Sequence, residues 1–251
     1  MSQLQRLVID ANQKQQKQVT LTSEQQHYLK RVLRLEPGEK FIAMDGKGKS
    51  WLVQLQENTA EILESLAVQT ELNLNVTLLV ALPKNKGFEQ IVRCCTELGV
   101  TKLVPIISDR TLLQPSTNKL KRWRKIAQEA AEQSERQLVP TITESMSLNA
   151  ALSWVKDNSL NSHKYICVAR KDAPHLGQYL FNTQQQKQEQ GIVLATGAEG
   201  GWTTTEVEQA TNIGFLSVSL GKRILRAITA PIMALSLIAA MDEGEIKLSN
   251  K

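Results

Sequence analysis

The chain has 251 residues, of which 41% are apolar and 22% are charged. That length allows one large domain or two smaller ones, and the composition excludes wholesale disorder. The longest apolar stretch, Ala230 to Met241, is shorter than the roughly 20 residues of a membrane-spanning helix, so we expect no membrane insertion. The first ten residues lack the apolar core of a signal peptide, which predicts a cytoplasmic protein.

The cysteines and histidines give no pattern of a metal or disulfide site. The three cysteines form no CxxC pair, and the three histidines lack an HExxH spacing. We therefore predict neither a disulfide scaffold nor a bound metal. The net charge of +5 favours a polyanionic partner without requiring one.

The first seventy residues are typical of a small β-rich domain. Candidate strands are RLVID, KQVTL, EKFIAMD, SWLVQLQ and TAEILESL, and the glycine-rich segment 46–49 predicts a hairpin between the third and fourth. One helix is predicted from Ser23 to Leu35, capped by Thr22 or Ser23 and ended by Pro37-Gly38, with Leu29, Val32 and Leu33 as its apolar stripe.

The opposite face of this helix is basic. His27, Lys30, Arg31 and Arg34 follow a spacing of i, i+3, i+4 and i+7, and Arg6 is a further candidate for the same surface. Two interpretations remain open: a solvated helix face, or a strip that binds RNA phosphates.

From about residue 73 the pattern changes to apolar strands that alternate with amphipathic helices. The strands are NVTLLVALP, KLVPIIS, KYICVA, GIVLATG and IGFLSVSL, with helices predicted near 87–98, 116–137, 147–157, 175–190, 203–211 and after 226. This order predicts a parallel sheet covered on both faces. We place the domain boundary between residues 72 and 73.

A second group of basic residues lies in the C-terminal part. Lys119, Lys121, Arg122, Arg124 and Lys125 surround Trp123 near a predicted helix N-terminus, where cations oppose the helix dipole. We predict that Arg122 and Lys125 contact RNA, while Trp123 packs in the core. Further candidates are Lys84 and Lys86, which follow a strand end, and Arg110.

Two glycine loops follow strands near the C-terminus. Residues 196–201 read TGAEGG and residues 220–226 read LGKRILR. Neither loop matches a Rossmann fingerprint or a nucleoside-triphosphate loop, so the pattern alone indicates only tight turns or close approach to a ligand.

The strings TGAEGGWTTTEVEQA and LGKRILRAITAPIMALSLI resemble the signature loops of the 16S ribosomal RNA uridine-N3 methyltransferases, the RsmE family of the SPOUT superfamily. Three further segments are similar to that family: HYLKRVLR, TELGVTKLVPIISDR and RWRKIAQEAAEQSERQLVP. The resemblance covers nearly the whole chain, and the combination of segments is specific.

The resemblance implies an α/β fold with a small N-terminal PUA-like β-barrel domain, residues 1–72, and a C-terminal α/β SPOUT domain with a trefoil knot, residues 73–251. It further implies a homodimer that binds S-adenosyl-L-methionine and acts on 16S rRNA or the small ribosomal subunit. The implied cofactor residues are Thr196, Gly197, Gly200, Gly201, Leu220, Gly221, Ile224, Leu225 and Ala230.

Two positions depart from the family pattern. Ala198 stands where the family has proline, and Ile228 stands where it has glutamate. For catalysis we predict Arg226 as the group that stabilises negative charge on the uracil, with phosphate binding as its alternative role. We predict Glu199 either as a general base or as a brace for its loop. Two alternative functions stay open. One is a knotted methyltransferase with another RNA target, which the match across both domains disfavours. The other is an RNA-binding assembly factor without activity, which Ile228 supports.

Overall fold

The computed structural model describes residues 4–111, 115–169, 172–184 and 191–244. The chain divides into two compact units, one of residues 1–71 with 128–139 and one of residues 72–127 with 140–251. Sequence reasoning had assigned residues 128–139 to the C-terminal domain. Within the described ranges, no helix is both long enough and apolar enough to cross a bilayer.

The described part of the first unit forms a six-stranded sheet in the order β1-β4-β5-β6-β3-β2. Its strands are β1 (Arg6–Val8), β2 (Lys14–Gln15), β3 (Gln18–Thr20), β4 (Lys40–Met44), β5 (Ser50–Leu55) and β6 (Thr59–Leu66). Strands β4 and β5 pair antiparallel around the predicted glycine hairpin, in which Gly46 and Gly48 take φ values of +66° and +104°. The sheet surrounds one apolar core that includes Leu7, Val19, Phe41 and Val53.

The helix of the first unit begins as predicted but ends early. Helix α1 (Ser23–His27) starts with a capping box in which Thr22 and Gln25 bond each other's backbone amides. A π-helical turn, Tyr28–Val32, continues it and changes the phase of the side chains. Leu29 is therefore fully buried while Val32 is 60% exposed, so the prediction of Val32 in the apolar stripe was wrong. The chain then leaves the helix at Arg34, whose φ is +58°.

Glu71 anchors the later segment, residues 128–139, within the first unit. Its carboxylate accepts hydrogen bonds from the Arg136 guanidinium at 2.6 Å and from the backbone amides of Gln137 and Leu138. The Glu132 carboxylate accepts from the amide of Val8 at 2.8 Å. These partly buried polar contacts join sequence positions more than sixty residues apart, which no local pattern indicates.

The second unit contains a parallel sheet in the order β10-β8-β7-β12-β11-β13, with β9 paired to β8. Its strands are β7 (Val76–Ala81), β8 (Lys102–Ile107), β9 (Thr141–Ile142), β10 (Met146–Ser147), β11 (His163–Cys167), β12 (Ile192–Thr196) and β13 (Leu216–Val218). All of these pairings are parallel, as the apolar strand pattern predicts. The two-residue strands β9 and β10 were not predicted.

Helices follow the strands at the predicted places. They are α2 (Gly87–Glu97), α3 (Thr117–Gln133), α4 (Leu148–Asn158), α5 (Leu176–Gln184), α6 (Thr204–Asn212) and α7 (Thr229–Glu243). Residues 185–190, the end of one predicted helix, lie outside the described residues. Trp123 is 2% exposed and its ring lies 4.4 Å from that of Phe88, which confirms its predicted place in the core.

Candidate functional site

The loops that carry the predicted site residues share one edge of the parallel sheet. Strands β7, β8, β12 and β13 all run in the same direction, so their carboxyl ends lie together. The segment 83–87 follows β7, Asp109 and Arg110 follow β8, and the two glycine loops follow β12 and β13. In open α/β sheets this edge is where ligands bind.

The first glycine loop, residues 196–201, makes a close turn of the backbone. A Cβ atom on Gly197 would lie 3.1 Å from the Gly201 Cα and 3.3 Å from the Trp202 nitrogen, so a side chain there would require the neighbouring backbone to shift. Gly201 has a φ of +66° and open space beside its Cα. This loop has one crowded side and one side that can receive a ligand.

Polar side chains from neighbouring loops brace this loop. The Arg110 guanidinium donates to the carbonyl oxygens of Gly200 and Trp202. Glu206, only 3% exposed, accepts from the amide of Thr203 at 2.7 Å and from that of Asp109 at 3.0 Å. The loop is therefore preorganised by contacts to the end of β8.

The second glycine loop, residues 220–226, turns at Gly221. The φ of Gly221 is +112°, nothing lies within 4 Å of a Cβ built on it, and its amide donates to the Ser219 hydroxyl at 3.1 Å. Of the remaining implied cofactor residues, Ile224 is 59% exposed, and three are half-buried, namely Leu220, Leu225 and Ala230. An apolar side chain as exposed as Ile224 is suited to cover the apolar part of a ligand.

Two buried polar atoms beside the first glycine loop lack a hydrogen-bond partner among the described residues. They are the Thr196 hydroxyl, at the end of β12, and the indole N–H of Trp202. A buried unsatisfied polar group is costly and is typical of a place where a ligand or water completes the bonding. Together with the open space at Gly201 and Gly221, these atoms fit a polar nucleoside cofactor of the kind that the resemblance implies.

The two predicted catalytic residues have different surroundings. The Glu199 carboxylate accepts a hydrogen bond from the backbone amide of Lys84 at 3.0 Å, which favours the interpretation of Glu199 as a loop brace. Arg226 has an exposed side chain, and its carbonyl oxygen accepts from the amides of Thr229 and Ala230 at the start of α7. Arg226 is thus free to meet a substrate on the exposed side of the loop.

Cys167 ends strand β11 at the same edge. Burial raises the pKa of its thiol to about 12, so the thiol is protonated at neutral pH and is a poor nucleophile. Among the residues the structure describes, no group of three or more histidine, cysteine, aspartate or glutamate side chains is arranged to hold a metal ion.

Ile228 packs against the start of α2. A Cβ atom built on Gly87 would lie 3.1 Å from the Cδ1 and Cγ1 atoms of Ile228 and 3.0 Å from the Cγ of Pro83. The side chain at position 228 is therefore in an apolar contact, where a carboxylate would be poorly solvated.

In the first unit, the predicted RNA-binding residues separate into paired and exposed groups. Arg6 forms an ion pair with Glu135 at 2.7 Å and its side chain is only 12% exposed. The Lys30 ammonium donates to the Glu57 carbonyl oxygen. The side chains of His27, Arg31 and Arg34 are exposed.

In the second unit, Lys84, Lys86 and Lys125 have exposed side chains. Arg122 is exposed but forms an ion pair with Glu89 at 2.9 Å. Arg110, predicted to contact RNA, is exposed, and its guanidinium also donates to the first glycine loop. Lys84 lies next to the first glycine loop, because its backbone amide donates to the Glu199 carboxylate. Lys86 follows two residues later.

Two residues of the site were missed by sequence reasoning. Trp202 was not singled out, because an indole after a glycine loop has no diagnostic spacing. Glu206 forms a capping box with Thr203, and this box can be read from the sequence as T-x-x-E before an apolar pattern. Its second partner, the Asp109 amide, comes from a different strand end and has no sequence signal.

Comparisons with known proteins give consistent matches to both parts of the chain. A family model described as an RNA methyltransferase domain matches residues 70–239, and one described as an RNA methyltransferase PUA domain matches residues 21–64. Ribosomal RNA small subunit methyltransferase E of Synechocystis is 48% identical over 95% of this chain and 78% of its own length. The Bacillus subtilis protein of the same name is 30% identical over 89% of this chain and 90% of its own.

Solved structures match as well. A crystal structure of ribosomal RNA small subunit methyltransferase E from Neisseria gonorrhoeae, bound to S-adenosyl methionine, aligns with a TM-score of 0.82 and 32% identity. That alignment covers 93% of this chain and 96% of the other.

Proposed function

The chain belongs to the family of ribosomal RNA small subunit methyltransferase E, and from that premise we propose that it transfers a methyl group from S-adenosyl-L-methionine to N3 of a uridine in 16S rRNA. The observation that carries the proposal is the pair of glycine loops at one sheet edge, together with the buried Thr196 hydroxyl that has no partner among the described residues. The 48% identity over nearly the whole chain supports the same reaction.

The cofactor would lie against both glycine loops. Thr196, Gly197, Gly200 and Gly201 would line one side and Gly221 the other, with Leu220, Ile224, Leu225 and Ala230 as apolar neighbours. The glycines allow the backbone to approach an adenosine, and the Thr196 hydroxyl would gain the partner that it lacks. When bound, S-adenosylmethionine supplies an electrophilic methyl group on a sulfonium.

Methylation would form a bond from N3 to the methyl carbon as the bond from that carbon to sulfur breaks, and the N3 proton would pass to water. As the proton leaves, negative charge spreads onto O2 and O4 of the uracil. A positioned cation lowers the energy of that charge. Arg226 is the candidate for this role because it follows the second glycine loop and its side chain is exposed. The protein's further contribution is alignment of the uracil with the methyl group, which removes much of the entropic barrier.

The RNA would contact exposed basic side chains of both units. In the first unit these are His27, Arg31 and Arg34, and in the second Lys84, Lys86 and Lys125. A PUA domain of the RNA methyltransferase type supports RNA as the partner of the first unit. We place the reaction in the cytoplasm, where small ribosomal subunits are assembled.

The family fold further includes a trefoil knot and a homodimer, and we propose both for this chain. Ile228 follows β13 yet contacts Gly87 after β7, although β11 and β12 lie between these strands in the sheet. This return across two strands supports the proposed knot. Helix α7 leaves apolar side chains half-buried, among them Ile232, Met233 and Leu237, which a second copy of the chain would cover.

The test is methyl transfer to small subunits isolated from cells that lack this modification. Wild-type protein is incubated with labelled S-adenosylmethionine, and the RNA is digested for nucleoside analysis. Labelled N3-methyluridine is the expected product. A different labelled nucleoside would indicate another RNA target, and RNA binding without any transfer would indicate an assembly factor.

A further inference from the structure

We propose that Glu199 and Ile228 are positioning residues that tie the two glycine loops to the lysine loop, defined as Pro83 to Gly87, and thereby couple cofactor binding to RNA binding. The proposal rests on the proposed function, because it assigns the cofactor to the glycine loops and RNA to Lys84 and Lys86. It makes Glu199 a brace that acts through the lysine loop, with no role as a base.

The first link is a hydrogen bond. The Glu199 carboxylate, in the first glycine loop, accepts from the backbone amide of Lys84 at 3.0 Å. The bond involves the main chain of Lys84, so the lysine ammonium stays available for a phosphate. A shift of Glu199 when a ligand fills the space beside Gly201 would therefore move the backbone that carries both lysines.

The second link is an apolar contact. Ile228 lies at the end of the segment that carries the second glycine loop, and its side chain covers Gly87, the first residue of α2. A Cβ on Gly87 would lie only 3.0 to 3.1 Å from Pro83 and Ile228, so both of these side chains lie close against Gly87. The first glycine loop thus contacts the lysine loop at Lys84, and Ile228, two residues after the second glycine loop, contacts it at Gly87.

The lysine loop itself is a short turn closed by a backbone hydrogen bond. Asn85 has a φ of +58°, which is uncommon for a residue with a side chain, and the Gly87 amide donates to the Lys84 carbonyl oxygen at 3.3 Å. Lys84 and Lys86 lie on either side of Asn85 and are both exposed. Because the turn is contacted at Lys84 and at Gly87, we expect a displacement of either contact to move both lysines.

Coupling of this kind is reciprocal. If bound cofactor strengthens RNA binding by some factor, RNA must strengthen cofactor binding by the same factor. The factor is measured as the ratio of RNA dissociation constants without and with saturating S-adenosylhomocysteine, a cofactor product that cannot transfer a methyl group. We expect a ratio of about five or more for the wild-type protein, the lower end of typical allosteric couplings.

Variants at Glu199 separate a brace from a base. Glu199→Gln keeps an oxygen that accepts from the Lys84 amide but cannot accept a proton from uracil, whereas Glu199→Ala removes both functions. We expect Glu199→Gln to retain the wild-type ratio and kcat, and Glu199→Ala to bring the ratio close to one and raise the KM for RNA more than it lowers kcat. Glu208→Ala removes an exposed carboxylate on α6 and serves as the matched control.

Variants at Ile228 test the second link. Gly87→Ala introduces a methyl group into the contact with Ile228, and we expect it to lower the ratio severalfold. Ile228→Ala vacates the same space, so the double variant Gly87→Ala/Ile228→Ala should recover part of the lost coupling. Circular dichroism of each variant verifies that it is folded, and a variant that fails to fold leaves the Glu199 pair to decide the question.

Two results would overturn the proposal. A wild-type ratio of one means that the lysine loop does not couple the sites, even if N3-methyluridine is formed and the proposed function stands. A Glu199→Gln variant as inactive as Glu199→Ala, with cofactor and RNA binding unchanged, assigns Glu199 to proton transfer. Absence of any methyl transfer, with the coupling intact, contradicts the proposed function alone.

Discussion

The buried hydroxyl of Thr196 supports a prediction in which stability and binding change in opposite directions. Thr196 is fully buried, and its hydroxyl has no partner among the described residues. Thr196→Val replaces the hydroxyl with a methyl group of similar shape. Because an unsatisfied buried hydroxyl costs about 1–3 kcal/mol, we expect the cofactor-free variant to be more stable than wild type by about 1 kcal/mol.

A second buried threonine in the same unit, Thr96, serves as the comparison for the expected change in stability. Thr96, on α2, is equally buried, but its hydroxyl donates to the Val92 carbonyl oxygen at 2.7 Å. Thr96→Val loses a formed hydrogen bond, so it should destabilise the protein by about 0.5–1.5 kcal/mol. For a unit of this size each kcal/mol changes the melting temperature by about 2–4 °C, so the two variants should differ by several degrees.

Cofactor affinity should separate the same two variants. If the Thr196 hydroxyl bonds the cofactor, Thr196→Val should weaken binding of S-adenosylmethionine by about threefold to tenfold, the worth of one hydrogen bond. Thr96→Val should leave that affinity unchanged. Melting curves without cofactor and calorimetric titration with it are the two measurements. A Thr196→Val protein that is destabilised as much as Thr96→Val, or that binds cofactor with wild-type affinity, refutes the reasoning.

Three further predictions test the rest of the site. Gly221→Leu should abolish cofactor binding in calorimetry while the protein stays folded, because its side chain enters the open space beside a residue with a φ of +112°; wild-type affinity would mean that the cofactor lies elsewhere. Neutralising Arg31 and Arg34 together should weaken RNA binding and reduce its salt slope by about 0.7–0.9 for each lost phosphate contact, and superimposable plots would make this surface a merely solvated one. Light scattering should give a particle of twice the 28.0 kDa chain mass, and a monomer at micromolar concentrations would contradict the dimer.

Local patterns in the sequence were sufficient for most of the secondary structure. The strands of the second unit are continuous apolar runs because both faces of a parallel sheet are covered, and this pattern is visible without a structure. The cap of α1 is equally local, since Thr22 and Gln25 are three residues apart. The prediction that Val32 is buried was wrong because a π-helical turn changes the phase of the side chains, and the sequence carries no signal for such a turn.

The basic residues show where sequence reasoning ends. A charge pattern indicates that a helix face is basic, but the partners of its charges come from distant segments. Arg6 is paired with Glu135, and Arg110 donates to the carbonyl oxygens of Gly200 and Trp202. An arginine and its acceptor can be 90 or 129 positions apart, and no periodicity relates such positions.

By itself, the sequence determined the class of the second unit, the position of both glycine loops and the family to which the chain belongs. These properties depend on residue types at fixed spacing along the chain. Only the tertiary structure decided that Glu199 bonds the Lys84 amide, that Ile228 covers Gly87, and that the Thr196 hydroxyl has no described partner. Each of these depends on which strand ends become neighbours in the sheet, and that order is set by packing of the whole unit.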